Sequence, residues 1–476
     1  MGKDTVFRKG FVVAMLLVLL GISVVPSSFG KIGFTFSRSD SSDIPPKMEW
    51  EALFSLHPFC TGTWVEQTAD GGYIITGRTW NDALLLKTDM DGTVVWNNTY
   101  HVHEQCIGSC VQQTADGGYL IIGSTVEPHG SYNNSLLIKT DAVGVEQWSR
   151  LFGGVEMDRF FSGQQTNDSG FVLAGDSMSF GSVSDPEIWI VKTDGSGNEQ
   201  WNKTYGNGSA SSIQQTADNG YVIAGSVFPS ATASDFFLLK TDFYGTVEWM
   251  KTFGGPNEDY GYSVQQTSDL GFVLFGSSYQ GEQPDVHSVA VLIRTDPQGN
   301  MVWNRTFVRG TLYDIHGYCV RQTNDHGFIL TGTLASVSIP GWYNLWLLRT
   351  DSNGTTVWER IFDSGNMYGD VGNAVQQTAD NGYIVVGNQG DEGHEAVWVL
   401  KIAAESPVKM TGILGKISDR TVYENYSVVH AYRTVCVQLF PLKIRFFHSG
   451  EELVISNMYR GLLSNTTIGG VFRAHI

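Results

Sequence analysis

Residues 111–123 read VQQTADGGYLIIG, and the same phrase returns six more times with small changes. It is VEQTADGGYIITG at 65–77, GQQTNDSGFVLAG at 163–175, IQQTADNGYVIAG at 213–225, VQQTSDLGFVLFG at 264–276, VRQTNDHGFILTG at 320–332 and VQQTADNGYIVVG at 375–387. Its aromatic residue falls at Tyr73, Tyr119, Phe171, Tyr221, Phe272, Phe328 and Tyr383, at intervals of 46 to 56 residues. A period of this length marks an array of like modules and overrides local secondary-structure signals.

Each phrase contains two strands and the turn between them. Asp and Gly in ADGG, NDSG or ADNG suit a tight hairpin, and the apolar run that follows ends in Gly. A variable polar loop then leads to a third strand: LLLKTD, LLIKTD, WIVKTD, FLLKTD, VLIRTD or WLLRTD. After a short Gly-containing turn comes a fourth strand carrying Trp, as in TVVWNNTY and TVEWMKTF. Four short strands per unit are the signature of a β-propeller blade, whose strands are buried on both faces and so read as continuous apolar runs.

The ends of the array bear on closure. Fourth-strand tryptophans lie at Trp50, Trp96, Trp148, Trp201, Trp249, Trp303 and Trp358, so the first precedes the first complete unit. The last unit has none, and in its third strand, WVLKIA, Ile402 and Ala403 replace the usual Thr-Asp. The expectation is an all-β, seven-bladed β-propeller over residues 48–403, with MEWEALF (Met48 to Phe54) completing the last blade and removing the free edges.

Composition agrees with that class. The 476 residues include 55 Gly and 12% aromatics, as many short strands with tight turns require. The formal charge of −18 is unevenly spread: residues 48–408 hold 16 Lys/Arg against 41 Asp/Glu, whereas residues 409–476 hold 8 against 4. So acidic a body repels phosphate backbones, and no nucleic-acid partner is expected.

At the N-terminus, Lys3, Arg8 and Lys9 precede the uncharged stretch FVVAMLLVLLGISVV, the pattern of a secretory signal over residues 1–30. Cleavage near Ser28 or Gly30 and retention as a membrane anchor both remain open, and either exports the rest to the cell surface or beyond. Nine Asn-x-Ser/Thr sequons suit an exported glycoprotein. Residues 31–47 read as a polar linker. Residues 404–476 leave the period, and runs such as YSVVHAY, TVCVQLF and LKIRFF point to a small C-terminal β-rich module.

The units resemble those of secreted archaeal and bacterial propellers with Gly-Gly-Tyr and Lys-Thr-Asp repeats, distantly related to quinoprotein-type Trp-docking propellers. The resemblance covers residues 48–403 and implies a fold more than an activity. In the quinoprotein-type unit Gly stands four residues after the Asp; here it stands three after, as Asp89 to Gly92 and Asp242 to Gly245 show, so no quinone or other cofactor is expected. GKIS, SGEELVIS and YRGLL make the C-terminal module similar to modules appended to archaeal surface proteins.

Several constellations invite a chemical reading. The recurring Gln67, Gln113, Gln165, Gln215, Gln266, Gln322 and Gln377 are expected to form a ring of inter-blade hydrogen bonds, since a buried amide must be paired. The repeated Asp residues, Asp70 through Asp380 and Asp89 to Asp351, lack the spacing of a calcium loop and are expected in turns. Departures from the repeat say more. FSLHPFCTGTWV and YHVHEQCIGSCV align His57 with His103 and Cys60 with Cys106, where other units carry Asp158, Asp259 and Asp370. In an oxidising compartment that pattern predicts a disulfide, Cys60 to Cys106 or Cys106 to Cys110, with metal binding by the two histidines and a thiolate as the lesser alternative. Cys319 or Cys436 is left as a buried thiol.

Nothing at catalytic spacing stands out: no nucleophile elbow, phosphate loop or HExxH pair. The favoured expectation is therefore an exported binding protein holding a polysaccharide, peptide or cell-envelope protein on one face, with Tyr132, Trp342 and Tyr343 of the variable loops stacking on sugar rings. The alternative is an exported enzyme, a glycan hydrolase or quinoprotein-like oxidoreductase, working at the channel mouth.

Overall fold

The structure, a computed structural model, describes residues 45–405 except 57–58, 127–132, 182–184, 231–232, 282–286, 311, 340, 366–367 and 392–393. It also gives backbone strands at Thr35–Arg38 and between residues 409 and 475. Two compact units divide the chain, Pro46–Ala404 and a second unit made of Met1–Pro45 with Glu405–Ile476.

The first unit is a seven-bladed propeller of antiparallel four-stranded sheets. In the first blade the strands are Cys60–Gln67, Tyr73–Thr79, Ala83–Thr88 and Val94–Tyr100, paired in chain order. First strands from all seven blades surround one central cavity, which makes them innermost. The third strand, Ala83–Thr88, is buried at every position, as its continuous apolar run implies, whereas the outermost, Val94–Tyr100, alternates and is mostly exposed. In the third and fourth blades the strand Glu199–Gln215 runs without a break from the outside of one into the inside of the next.

Met48–Phe54 occupies the outermost place of the last blade, antiparallel to His394–Ile402, with Trp50 opposite Lys401 and Phe54 opposite Val397. The Ala403 N–H donates to the Lys47 carbonyl at 2.8 Å. The largest apolar cluster forms around this junction, joining Tyr73 and Leu84 of the first blade to Trp358 of the sixth and Tyr383 and Trp398 of the seventh.

Every fourth-strand indole docks on the aromatic ring of the following blade. Centroid separations are 5.9 Å for Trp50 and Tyr73, 5.7 Å for Trp96 and Tyr119, 5.9 Å for Trp148 and Phe171, 6.1 Å for Trp201 and Tyr221, 5.8 Å for Trp249 and Phe272, 6.0 Å for Trp303 and Phe328, and 5.8 Å for Trp358 and Tyr383. Tilted and edge contacts of this kind suit the ring quadrupoles.

The hairpin turns hold a pairing that the sequence reading left out. The Lys or Arg of each third strand is buried and reaches the Asp of its own blade's first hairpin: Lys87 to Asp70, Lys139 to Asp116, Lys192 to Asp168, Lys240 to Asp218, Arg294 to Asp269, Arg349 to Asp325 and Lys401 to Asp380. Partial burial alone would raise the Asp70 carboxyl, but hydrogen bonds from Thr68, Lys87 and the Gly72 N–H outweigh it and hold it at about 2. The second Asp series caps the outer turns, as Asp89 does by accepting the N–H groups of Asp91 and Thr93.

The second unit holds a seven-stranded sheet in which Thr35–Arg38 pairs with Lys409–Ile417, followed in order by Arg420–Ala431, Thr434–Leu439, Leu442–Ser449, Glu452–Ser456 and Phe472–His475. Part of the segment read as linker is thus an edge strand; four residues, TFSR, carry too little apolar alternation to announce it. The apolar N-terminal stretch lies outside the described residues.

Candidate functional site

The recurring glutamines of the innermost strands tie each blade to the one before it. Each of the seven recurring glutamines accepts a backbone N–H from the preceding blade at 2.8–2.9 Å, Gln113 from Ala69 and onward around the ring to Gln67 from Ala379. The ring of identical inter-blade bonds expected from the repeat is complete. A second ring lies one residue earlier and is not uniform: Glu66, Gln112, Gln164, Gln214, Gln265, Arg321 and Gln376 all line a cavity of about 210 Å³. Its side-chain oxygens point the bonds the other way, with Gln376 accepting from the Gln67 N–H at 2.7 Å, Gln112 from Gln165 at 2.7 Å, and Glu66 from Gln113 at 3.1 Å.

Three residues on the channel wall, Trp64, Glu66 and Arg321, break the repeat by size or charge. Trp64 stands where the other blades carry Cys110, Ser162, Ser212, Ser263, Cys319 and Ala374, and the Arg321 guanidinium lies over its indole, 4.9 Å from the ring centroid. Burial lifts the Glu66 carboxyl to about 7, against the lowering influence of the Gln113 N–H and of Arg321.

Antiparallel pairing puts both kinds of short hairpin, from Thr68 to Gly72 and from Asp89 to Thr93 in the first blade, on one face of the ring. The opposite face carries the long loops and the blade-to-blade connections, and there the blades differ. Each innermost strand is bulged near this face, between Gly62 and Trp64 in the first blade and between Gly261 and Ser263 in the fifth. The bulged residues are Thr63, Ser109, Phe161, Ser211, Tyr262, Tyr318 and Asn373. A bulge re-aims a side chain, and here it brings aromatic residues to the channel mouth in adjacent blades. Tyr262 and Tyr318 meet edge to face at 5.5 Å, Tyr260 and Tyr279 at 6.2 Å, and Tyr279 lies 6.5 Å from the His316 ring.

The environment of this sector is half-dry. Burial raises the Tyr262 and Tyr318 hydroxyls, with neighbouring phenols adding to it, and burial lowers the His316 imidazole against the raising influence of Asp314. Tyr260 donates to Glu258 at 3.0 Å, and His316 Nδ1 shares a hydrogen bond with Ser288 Oγ at 3.1 Å. Trp342, one of the stacking candidates, is half-buried 6.1 Å from Tyr313, while its neighbour Tyr343 is 38% exposed. Val337 and Ile339 in the same loop are also exposed. Tyr132 and His57 lie outside the described residues.

The sequence reading missed Tyr260, Tyr262, Tyr279, His316 and Tyr318. For Tyr262 and Tyr318 the signal was present as a column of the repeat, the residue three before each Gln-Gln, Glu-Gln or Arg-Gln pair, where Tyr occurs only at these two positions.

The disulfide expectation is corrected. Cys60, Cys106, Cys110 and Cys319 are free, buried thiols, and Cys60 and Cys106 sit in different apolar clusters. Their alignment with aspartate has a local cause instead. Asp158 accepts the Gly154 N–H and Asp259 the Gly255 N–H, each four residues back and each at 2.8 Å, which ties down the loop arriving from the previous blade. Cys106 Sγ accepts the Val102 N–H at the same offset, 3.3 Å away, and Cys60 Sγ donates to the Phe54 carbonyl at 3.0 Å. The thiols anchor the same loops with sulfur in place of a carboxylate. Burial pushes the Cys110 thiol up to about 12. Among the described residues no three His, Cys, Asp or Glu side chains are grouped as metal ligands.

No protein-family model matches the chain, and no curated protein matches it in sequence. Among solved structures it is similar to the WD40 domain of Neurospora crassa Pan2, at 12% identity over 76% of this chain and 97% of that one, with a TM-score of 0.49. It is also similar to extracellular domains 1-2 of Drosophila Semaphorin 1b, at 7% identity over 75% and 87% with a TM-score of 0.43. A puromycin hydrolase gives 10% identity over 81% of this chain and 58% of that one, with a TM-score of 0.44. Identities this low are likenesses of fold and not of activity.

Proposed function

We propose that this propeller is an exported binding protein that holds a polysaccharide across the tyrosine-rich sector of its variable face. The carrying observation is the convergence of Tyr260, Tyr262, Tyr279 and Tyr318 beside Trp342 and Tyr343. Sugars present apolar C–H faces ringed by hydroxyls, and phenol and indole rings offer a flat apolar surface with a polar edge, at little cost in side-chain entropy. The exposed Val337, Ile339 and Tyr343 continue that surface outward into the loop. Export rests on the basic-then-apolar N-terminal segment.

The test is retention of the full chain in affinity gels cast with a panel of neutral and acidic polysaccharides. Wild-type protein is expected to be slowed by at least one polymer, and Tyr279→Ala with Tyr343→Ala to lose most of that retardation at an unchanged melting temperature. Retardation that survives both substitutions, or none with any polymer, overturns the reading.

A further inference from the structure

The inner ring of the channel has a polarity of its own. Four of its five glutamines have their amide oxygen committed to a backbone N–H of the next blade: Gln376 to Gln67 and Gln112 to Gln165 at 2.7 Å, Gln214 to Gln266 and Gln265 to Gln322 at 2.6 Å. A flipped amide would set NH2 against N–H, so the orientation is chemically fixed. The four NH2 groups are thereby left facing away from the blade interfaces, and among the described residues none has a protein acceptor. Arg321 lines the same cavity. It donates to the Val320 carbonyl at 2.8 Å and lies over the Trp64 ring, and no carboxylate lies within ion-pairing distance of it among the described residues.

The one acid of the ring, Glu66, has an oxygen already occupied by the Gln113 N–H. A cavity of about 210 Å³ lined by convergent amide donors and a guanidinium, with Glu66 as its one acid, is therefore electropositive while burial keeps that carboxyl protonated, up to about pH 7, inside a body of large negative charge. A cation or metal would meet nitrogen where it needs oxygen. An anion with several acceptor oxygens would satisfy the donors that the fold leaves open.

We propose that the channel is a binding site for a small oxyanion, held by the Arg321 guanidinium and the carboxamide NH2 groups of the inner glutamine ring. It is separate from the tyrosine sector and does not depend on the polysaccharide reading. Trp64 supports the guanidinium from its apolar face, which leaves the N–H edge for the ligand.

The test is titration calorimetry of the full chain with acetate, sulfate and inorganic phosphate at pH 6 and constant ionic strength, with chloride as the background anion. Saturable binding of one oxyanion per chain is expected. Arg321→Gln removes the charge and is expected to weaken it at least tenfold, with Arg321→Lys recovering part. Gln214→Glu is a second probe that preserves the fold, since Glu66 shows that a carboxylate can accept the inter-blade N–H at this ring position. It exchanges one donor for negative charge and is expected to abolish binding. Tyr279→Ala is expected to leave anion affinity unchanged. Absence of saturable binding by all three anions, or equal affinity in Arg321→Gln and Gln214→Glu at wild-type melting temperature, overturns the proposal.

Discussion

Trp50 rests on Tyr73 at 5.9 Å between ring centroids, and in doing so joins the outermost strand of the last blade to the second strand of the first. Six other indoles make the same contact between blades consecutive in sequence, where the connecting chain already holds the partners close. The Trp50 strand likewise runs on into the first blade, from Phe54 to Cys60, so the ring is closed by the pairing of that strand with His394–Ile402 inside the last blade and by the bonds between the last and first blades, from the Gln67 N–H to Gln376 and from the Ala379 N–H to Gln67. The positive-φ Gly92 fits beneath the same indole, where a Cβ would come within 2.8 Å of Trp50.

Trp50→Ala is accordingly expected to cost about 2–4 kcal/mol, somewhat below the range for a fully buried Trp because Trp50 is half-buried. Removing Met48 to Phe54 should cost more, and it would expose the edge of His394–Ile402 to pairing with other molecules. Urea unfolding midpoints and light scattering of the two variants are the measurements. A truncated chain as stable and monodisperse as the parent would break the link between that strand and closure.

The hairpin ion pairs make a second expectation. Lys192 is fully buried and divides its ammonium among Asp168 at 2.9 Å, the Thr193 carbonyl at 2.8 Å and Gln200 at 3.2 Å. Asp168→Ala leaves that charge without its anion, and a loss of about 2–3 kcal/mol is expected, at the low end for a broken buried pair because the carboxylate is partly exposed. The carboxyls of this series are depressed below their ordinary value, to about 2 for Asp70 and Asp116. Their contribution is present above pH about 4 and is lost as pH falls toward 2. Acid unfolding of Asp168→Asn should be less steep between pH 4 and 2 than that of wild type; parallel curves would refute the assignment.

Glu66 acts with the opposite sign. Burial lifts its carboxyl from 4.5 to about 7, so the folded chain holds a proton that the unfolded chain has released. That stability is complete below pH about 4.5 and disappears as pH rises through about 7, a span worth at most about 3 kcal/mol. Glu66→Gln keeps the acceptor for the Gln113 N–H and cannot ionise. The difference in unfolding free energy between this variant and wild type should therefore grow in the variant's favour from pH 5 to pH 8. A difference constant with pH would show that the carboxylate is already ionised throughout.

Blade number, strand content and closure were legible because they recur: Trp50 without a unit and a unit without its Trp are a matched pair of exceptions. The ring of second glutamines was legible for the same reason, since an amide repeated at a buried position has to be satisfied in the same way each time. What recurrence hides is the difference between blades. Tyr262 and Tyr318 occupy a bulge whose existence is set by geometry across the sheet, where a Cβ on Gly276 would collide with the Tyr260 carbonyl and one on Gly332 with that of His316. Cys60 and Cys106 stood out in sequence as a pair, yet each answers to its own loop. The Lys-Asp pairs went unread because the partners stand 17 to 25 residues apart and meet only once the hairpins fold.

The first hairpin offers a last test, because two of its positions require glycine-like behaviour for different reasons. At Gly72 and its equivalents a Cβ would run into the Thr88 carbonyl and its counterparts, which explains a Gly in all seven blades. The position before it is left-handed in every blade, with φ of 86° at Gly71 but also 67° at Asn219, 66° at Asn381 and 69° at Leu270. Asn tolerates this region through local hydrogen bonding, whereas Leu pays about 1 kcal/mol for it. Leu270 is 52% exposed, so replacing it forfeits little packing. Leu270→Asn is expected to stabilise the chain by about 0.5–1 kcal/mol, read as a rise in melting temperature of one to a few degrees. Gly271→Ala, next to it, is expected to destabilise, because its Cβ would meet the Thr295 carbonyl and the Arg294 guanidinium. A Gly271→Ala chain as stable as the parent would show that the approach of the third strand does not select Gly at 271.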